Sequence, residues 1–258
     1  MAYDYEYFKK EVLSLTGIDL SCYKEKQMKR RIDTLIAKNK IVGYDKYVAA
    51  LKADKALFEE FVNYITINVS EFYRNPEQWK LLDEQIIPEL IQKFGRNLKV
   101  WSAACSTGDE PYSLVMAFSK HLPLSNIKIF ATDLDKQVIA KAKVGLYNAK
   151  SIVSVPEEFK KKYFTQVGPS YKISDEIKAR VEFKEHNLLK DAYPTGCHLI
   201  VCRNVLIYFT EEAKDDVFRK YQESLAKGGI LFIGSTEQII NYKEIGYERK
   251  NSFFYLKP

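Results

Sequence analysis

The 258-residue chain has four cysteines and three histidines, and neither set carries a chemical spacing. Cys22, Cys105, Cys197 and Cys202 form no C-x-x-C pair, which argues against a zinc site or a disulfide framework and leaves reduced, mostly buried thiols. His121, His186 and His198 share no metal-ligand spacing, and no Ser/His/Asp or Cys/His arrangement is legible, so no metal is expected. No apolar run approaches the roughly 18 residues that a membrane span needs. The stretch Met1–Val12 lacks a basic segment followed by an apolar core, so no signal peptide is read and a cytoplasmic location is expected. Glycine is scarce where phosphate chemistry would need it. There is no G-x-G-x-x-G, and no Lys-Ser/Thr pair follows a small-residue loop, which argues against dinucleotide and P-loop enzymes. Internal repeats and low-complexity stretches are also missing.

What is present is an ordinary globular composition, 46% hydrophobic and 29% charged, long enough for one large or two modest domains. The net charge of +6 is too mild to argue for nucleic acid, but it is unevenly placed. Residues 24–40 hold seven basic side chains, among them Lys29, Arg30 and Arg31, against Glu25 and Asp33. Such a stretch can dock an acidic partner surface or simply be a solvated helix face. Up to about residue 65 the apolar spacing is helical throughout. Tyr7, Phe8, Val12 and Leu15 share a face, Met28, Ile32, Leu35 and Ile36 share another, and Asp54 is placed to cap a helix from Lys55. Residues 1–75 therefore read as an all-helical N-terminal domain and connector. Asn75-Pro76 reads as a cap and first residue of a helix reaching Phe94, interrupted or kinked at Pro88.

From Leu98 strands alternate with helices, the signature of a mainly parallel sheet covered on both faces, which makes residues 76–258 an α/β domain. Strands are expected at 98–103, 128–131, 197–202 and 230–234, with Lys227-Gly228-Gly229 as a turn into the last. The segment 163–185 breaks this rhythm. A hairpin around Gly168-Pro169-Ser170 and an alternating Arg180–Glu185 predict a small antiparallel β-subdomain at about 160–186.

The chemistry concentrates where the strand Leu98–Trp101 opens into the small residues Ser102–Gly108 and then a helix with Asp109 and Glu110 in its first turn. Strand, small loop and helix N-terminus cradle a nucleotide-like cofactor in α/β folds. Acidic residues would repel phosphate, but they suit a cofactor with hydroxyls, an amine and a positive charge, such as S-adenosylmethionine. Asp133, at a strand end, suits hydrogen bonds to ribose hydroxyls; Asp133 or Asp135 could equally cap the next helix. Asn187-Leu188 and Arg203-Asn204 follow further strands, at the edge where open α/β sheets bind ligands.

In these motifs the chain resembles the CheR-type chemotaxis-receptor glutamate O-methyltransferases. The segments are T-I-N-V-S-E-F-Y-R, W-S-A-A-C-S-T-G-D-E-P-Y-S, A-T-D-L-D, N-L-L and C-R-N-V-L-I-Y-F, in the family's order and spacing. The resemblance implies a Rossmann-like S-adenosylmethionine-dependent domain with a β-subdomain, preceded by the helical domain. The implied reaction makes glutamate γ-methyl esters and S-adenosylhomocysteine on the cytoplasmic helices of methyl-accepting chemoreceptors. It further implies cofactor contacts from Asn68, Ser70, Arg74, Asp109, Asp133, Asn187, Leu188, Arg203 and Asn204, with Arg74 and Tyr208 near the transferred methyl. Lys29, Arg30 and Arg31 are the expected receptor-docking residues. Ser70 stands where threonine is common, and the hairpin is short. Family members that tether to a receptor's C-terminal pentapeptide have a longer loop there, so no tether is expected. A monomer without nucleic-acid or membrane-inserted partners is expected. A methyltransferase acting on RNA or a small molecule, and a non-catalytic adaptor that binds the cofactor, are the alternatives.

Overall fold

In the computed structural model, which describes residues 4–258, the chain divides into two units. One comprises the described chain up to Asn68 together with Val205–Asp216; the other comprises Val69–Asn204 and Val217–Pro258.

The first unit is built on α1 (Tyr5–Thr16), α2 (Glu25–Lys38), α3 (Tyr44–Ala53) and α4 (Lys55–Thr66). Local chemistry sets the ends. The Asp4 carboxylate accepts from the Tyr7 N–H, Gly17 closes α1 at φ 72°, and Asp54 accepts from the N–H groups of Ala56 and Leu57 as its sequence position predicts. The α2 stripe Met28, Ile32, Leu35 and Ile36 is buried, as expected. Phe8 of α1 lies among aromatic rings, with Tyr44 at 5.0 Å and Phe61 edge-on at 6.0 Å between centroids. The distant segment Val205–Asp216 is stitched into this unit by backbone bonds, Lys24 N–H to Tyr208 O (2.9 Å) and Thr210 N–H to Cys22 O (2.9 Å). Tyr208 therefore belongs to the helical unit.

The second unit opens with a helical run, α5 (Pro76–Leu81), a π-helical turn Leu82–Ile86, and α6 (Ile87–Phe94). The wide turn answers Pro88, which has no N–H and whose ring would strike the carbonyl four residues back. Asn75 does not cap this run: its backbone is left-handed (φ 61°), and its side-chain oxygen faces Arg203 instead. There follow β1 (Val100–Ala103), α7 (Asp109–Phe118), β2 (Ile129–Asp133), α8 (Lys136–Val144), β3 (Leu146–Asn148), α9 (Glu157–Tyr163), β4 (Phe164–Val167) and β5 (Ser170–Ile173). The remaining elements are α10 (Asp175–Lys178), β6 (Val181–Glu185), β7 (Cys197–Cys202), α11 (Glu211–Ser224), β8 (Leu225–Ile233), α12 (Tyr242–Ile245), β9 (Glu248–Arg249) and β10 (Phe254–Leu256).

The main sheet runs β6-β2-β1-β7-β8-β10-β9. Its first five strands are parallel and β10 is antiparallel to both neighbours. The chain leaves β1 toward β2 on one side and later returns to β7 on the other. The order reverses between β1 and β7, and the carboxyl ends of these two strands flank the crevice where such sheets bind ligands. Three expectations are corrected. β6 is not part of the antiparallel insertion: it pairs parallel with β2 along its length, Ile129 opposite Val181 to Asp133 opposite Glu185. Its place in the small sheet is taken by β3, giving β3-β5-β4, with the tight hairpin at β4–β5 as predicted. Lys227–Gly229 is not a turn but part of the long β8, where an irregular register against Cys197–Leu199 absorbs it.

Candidate active site

The loop after β1 is held in an unusual backbone. Ala104, Ser106 and Gly108 all have positive φ (63°, 48° and 90°), and for the two non-glycine residues this costs about 1–2 kcal/mol each. Neighbouring groups fix the loop. Cys105 N–H donates to Thr132 O (2.8 Å), and Ser106 N–H donates to the Asp133 carboxylate (2.8 Å). Gly108 admits no side chain, since a Cβ would lie 2.9 Å from that of Ala142 and 3.2 Å from the Tyr147 hydroxyl. The Tyr147 hydroxyl, from β3, donates to Thr107 O (2.7 Å). Behind the loop, Trp101 Nε1 donates to Thr132 Oγ1 (2.9 Å), tying β1 to β2 where both strands end.

Acid groups collect at this edge. Asp133 is buried and accepts the N–H groups of Ser106 and Asp135, while Asp135 is the residue that caps α8 through Gln137 N–H. The capping reading thus holds for Asp135, and Asp133 is left facing the loop. Burial is the main force that pushes the Asp133 carboxyl up to about 6, against those backbone donors. Asp109 is also buried and raised by burial, but it is engaged by Thr107 Oγ1 and the Ser70 side chain at its own helix end. Glu110, which the sequence reading left as a first-turn acid, is the carboxylate beside Arg203. It accepts from Ser102 Oγ (2.9 Å) and lies 3.8 Å from Arg203 Nη1, and burial raises it to about 7 despite both partners.

Arg203, at the end of β7, is almost wholly enclosed. Its Nη2 donates to Arg74 O (2.7 Å), Gln78 Oε1 (2.8 Å) and Asn75 Oδ1 (3.3 Å), and its plane lies 4.8 Å from the Phe232 ring centre. Its main work is to hold the connector. Arg74 itself sits between two left-handed residues, Tyr73 (φ 49°) and Asn75 (φ 61°), and is half-buried. Asn204 has φ 64° and a buried, unpartnered Oδ1. Asn187-Leu188 follows His186, whose N–H donates to Asp133 O (2.9 Å), so this pair is carried next to Asp133. The Asn187 oxygens accept from Leu189, Lys190 and Asp191 N–H groups, the ordinary turn chemistry. Asn68 falls in the helical unit, its Nδ2 donating to Thr66 Oγ1 (2.9 Å).

The basic stretch of α2 splits. Lys29 pairs with Asp33 (3.0 Å) and lies over the Tyr5 and Tyr44 rings. Lys24, Arg30 and Arg31 instead line a recess of about 180 Å³ together with Met28, Ile67 and Tyr208. Arg31 is fixed there by Nη2 to Tyr64 O (2.7 Å) and by its stack on the Tyr64 ring.

A doubly wound parallel sheet with a strained small-residue loop, buried carboxylates and no phosphate grip at its switch point defines an α/β enzyme domain that takes an adenosyl cofactor. Ser106 Oγ, Arg203 Nε and Asn204 Oδ1 are buried here without protein partners, and with Asp133 and Glu110 they fit the hydroxyls, amine and cationic sulfur of S-adenosylmethionine. The family described as "CheR methyltransferase, SAM binding domain" matches residues 68–252, and "CheR methyltransferase, all-alpha domain" matches residues 3–66. The chain is 43% identical over 254 residues to the chemotaxis protein methyltransferase of Listeria innocua, covering 98% of this chain and 97% of that one. It is 32% identical over 249 residues to chemotaxis protein methyltransferase 1 of Pseudomonas aeruginosa, covering 92% and 91%. The chain belongs to the CheR methyltransferase family, and it is an S-adenosylmethionine-dependent methyltransferase.

Proposed function

We propose that this enzyme methylates glutamate side chains on the cytoplasmic helices of chemoreceptors, acting in the cytoplasm as a monomer and without a C-terminal tether. The relatives named as chemotaxis protein methyltransferases support the pathway. The observation that carries the reading is the carboxylate-rich crevice at the switch point of the sheet. Bound there, the cofactor supplies an electrophilic methyl group on a positively charged sulfur. Asp133 accepts ribose hydroxyls, and Glu110, facing Ser102 and Arg203, takes the amine side in preference to the locally engaged Asp109. Asn187 and Leu188 border the adenine, and Ser70 and Asn204 complete the polar lining. A glutamate nucleophile is already ionised at neutral pH, so no residue need remove a proton. Arg74 orients the incoming carboxylate, and Arg203 keeps Arg74 in place through its carbonyl; Tyr208 is the second candidate for that step, on the strength of the family resemblance alone.

On the receptor side, Lys24, Arg30 and Arg31 meet acidic residues of the target helix, whereas Lys29 is committed to Asp33. The β4–β5 turn leaves little loop to shape a peptide-binding edge, which supports tether independence. Incorporation of labelled methyl from S-adenosylmethionine into receptor-containing membranes, followed by alkali, tests the reading. A carboxyl ester is lost in base; base-stable label, or none, refutes it.

A further inference from the structure

Glu237 is a buried acid with no role in the reading above. One of its oxygens, Oε2, accepts two backbone N–H groups from different strand ends: Asn204 (2.6 Å), just past β7, and Gly234 (3.0 Å), just past β8. The β7–β8 ladder ends at Cys202 opposite Ile233. Beyond it the strands no longer bond to each other, and the carboxylate bridges the gap. The turn that carries Glu237 is closed by its own N–H to Gly234 O (3.2 Å). A Cβ at 234 would lie 2.5 Å from Glu237 Oε2 and 3.0 Å from Asn204 N, so a side chain there would push the carboxylate off the bridge.

The bridge matters because of what it holds. Asn204 is left-handed, a conformation an L residue keeps only when its surroundings insist on it. The short hydrogen bond from its N–H to Glu237 Oε2 supplies that insistence. The conformation in turn fixes the Asn204 side chain, whose Oδ1 is buried without a partner at the carboxyl edge of the switch strand. We propose that Glu237 is a positioning residue for the cofactor, acting through Asn204 by bridging the ends of β7 and β8. The proposal rests on the reading of Asn204 as a cofactor residue.

Glu237→Gln keeps an acceptor oxygen at the same reach. Glu237→Asp keeps the carboxyl group but withdraws it by about 1.5 Å, one carbon–carbon bond. Bridging geometry predicts that Asp is the harmful change. By calorimetry, Glu237→Asp raises the S-adenosylmethionine dissociation constant about tenfold, and Glu237→Gln changes it less than about threefold. Asn204→Ala also weakens binding, and the double variant Glu237→Asp/Asn204→Ala is no weaker than the worse single, because both act on one group. Gly234→Ala crowds the same oxygen from the other side and produces the same loss, which keeps the test open should Glu237→Asp fail to fold. Additive losses in the double variant, Gln as harmful as Asp, or a lowered unfolding temperature with unchanged affinity would overturn the proposal. Unchanged affinity in Asn204→Ala alone would sink the assignment of Asn204, and this proposal with it.

Discussion

Acidification should move the empty enzyme and its cofactor affinity in opposite directions. Burial raises Asp133 from an ordinary 3.8 to about 6 and Glu110 from 4.5 to about 7. Between the ordinary and raised values the folded chain binds more protons than the unfolded one, so stability falls as pH rises through this window. Each group contributes up to about 3 kcal/mol, present below pH of about 4 and gone above about 7. Cofactor donors need the ionised forms, so binding runs the other way. From about pH 8 to about pH 5.5 affinity should fall about fourfold through Asp133 and about thirtyfold through Glu110, with protons released on binding near neutrality. Calorimetry in buffers of different ionisation enthalpy reads both quantities. Glu110→Gln should flatten most of the pH dependence, and Asp133→Asn the remainder. The buried His186 has its proton affinity lowered by burial, and it destabilises the fold at acid pH. The stability arm is therefore read as wild type minus Glu110→Gln. A flat affinity from about pH 5.5 to 8, or a full slope surviving in Glu110→Gln, would refute the placing of these carboxylates against the cofactor.

Arg74→Ala and Tyr208→Phe should each lower kcat by about tenfold or more, roughly 1.4 kcal/mol, with a smaller change in cofactor affinity for Tyr208→Phe; near-normal kcat in both folded variants would remove them from methyl transfer. Reversing Arg30 and Arg31 to Glu should raise the receptor KM and leave cofactor affinity alone, with wild-type rates falling as salt is added. Lys29→Glu alone should do much less, because Lys29 is already paired with Asp33; an equal effect would mean that the recess with Tyr208 is not the docking element. Removing the last residues of a receptor should leave its methylation rate within about twofold, and a micromolar complex with the free C-terminal peptide would show that the short hairpin misled.

The cofactor loop, the strand alternation and the capping aspartates were legible because they depend on local chemistry. A run of small residues between a strand and a helix, or an aspartate two residues before an N–H it can reach, says what it does within a few positions. β6 was expected in the wrong sheet because alternation shows that a strand has two faces, not which sheet it joins, and β3 is too short to show a pattern. Glu110 and Asp109 are alike in the sequence, because two adjacent acids in a first turn differ only once the sheet shows which one meets Arg203. Glu237 gave no signal at all: its partners are backbone N–H groups, and any sequence supplies those. Lys29 and Arg31 looked equivalent on α2, and only the fold shows Lys29 paired with Asp33 and Arg31 anchored to Tyr64 O in the recess.

Tyr147 gives the small sheet a standing that its size conceals. From β3 its hydroxyl reaches Thr107, its ring meets Phe72 edge-on at 4.7 Å, and it stands against the one face of Gly108 where a side chain would collide. The three short strands are thus a buttress for the loop in front of them. A trimmed enzyme that kept the seven-stranded sheet and discarded β3–β5 would lose the wall behind that loop, and with it the strained backbone at Ala104 and Ser106. Such a version would also be stripped of Tyr147, Phe159, Tyr163 and Ile173, which are part of the buried core, so loop and core would loosen together.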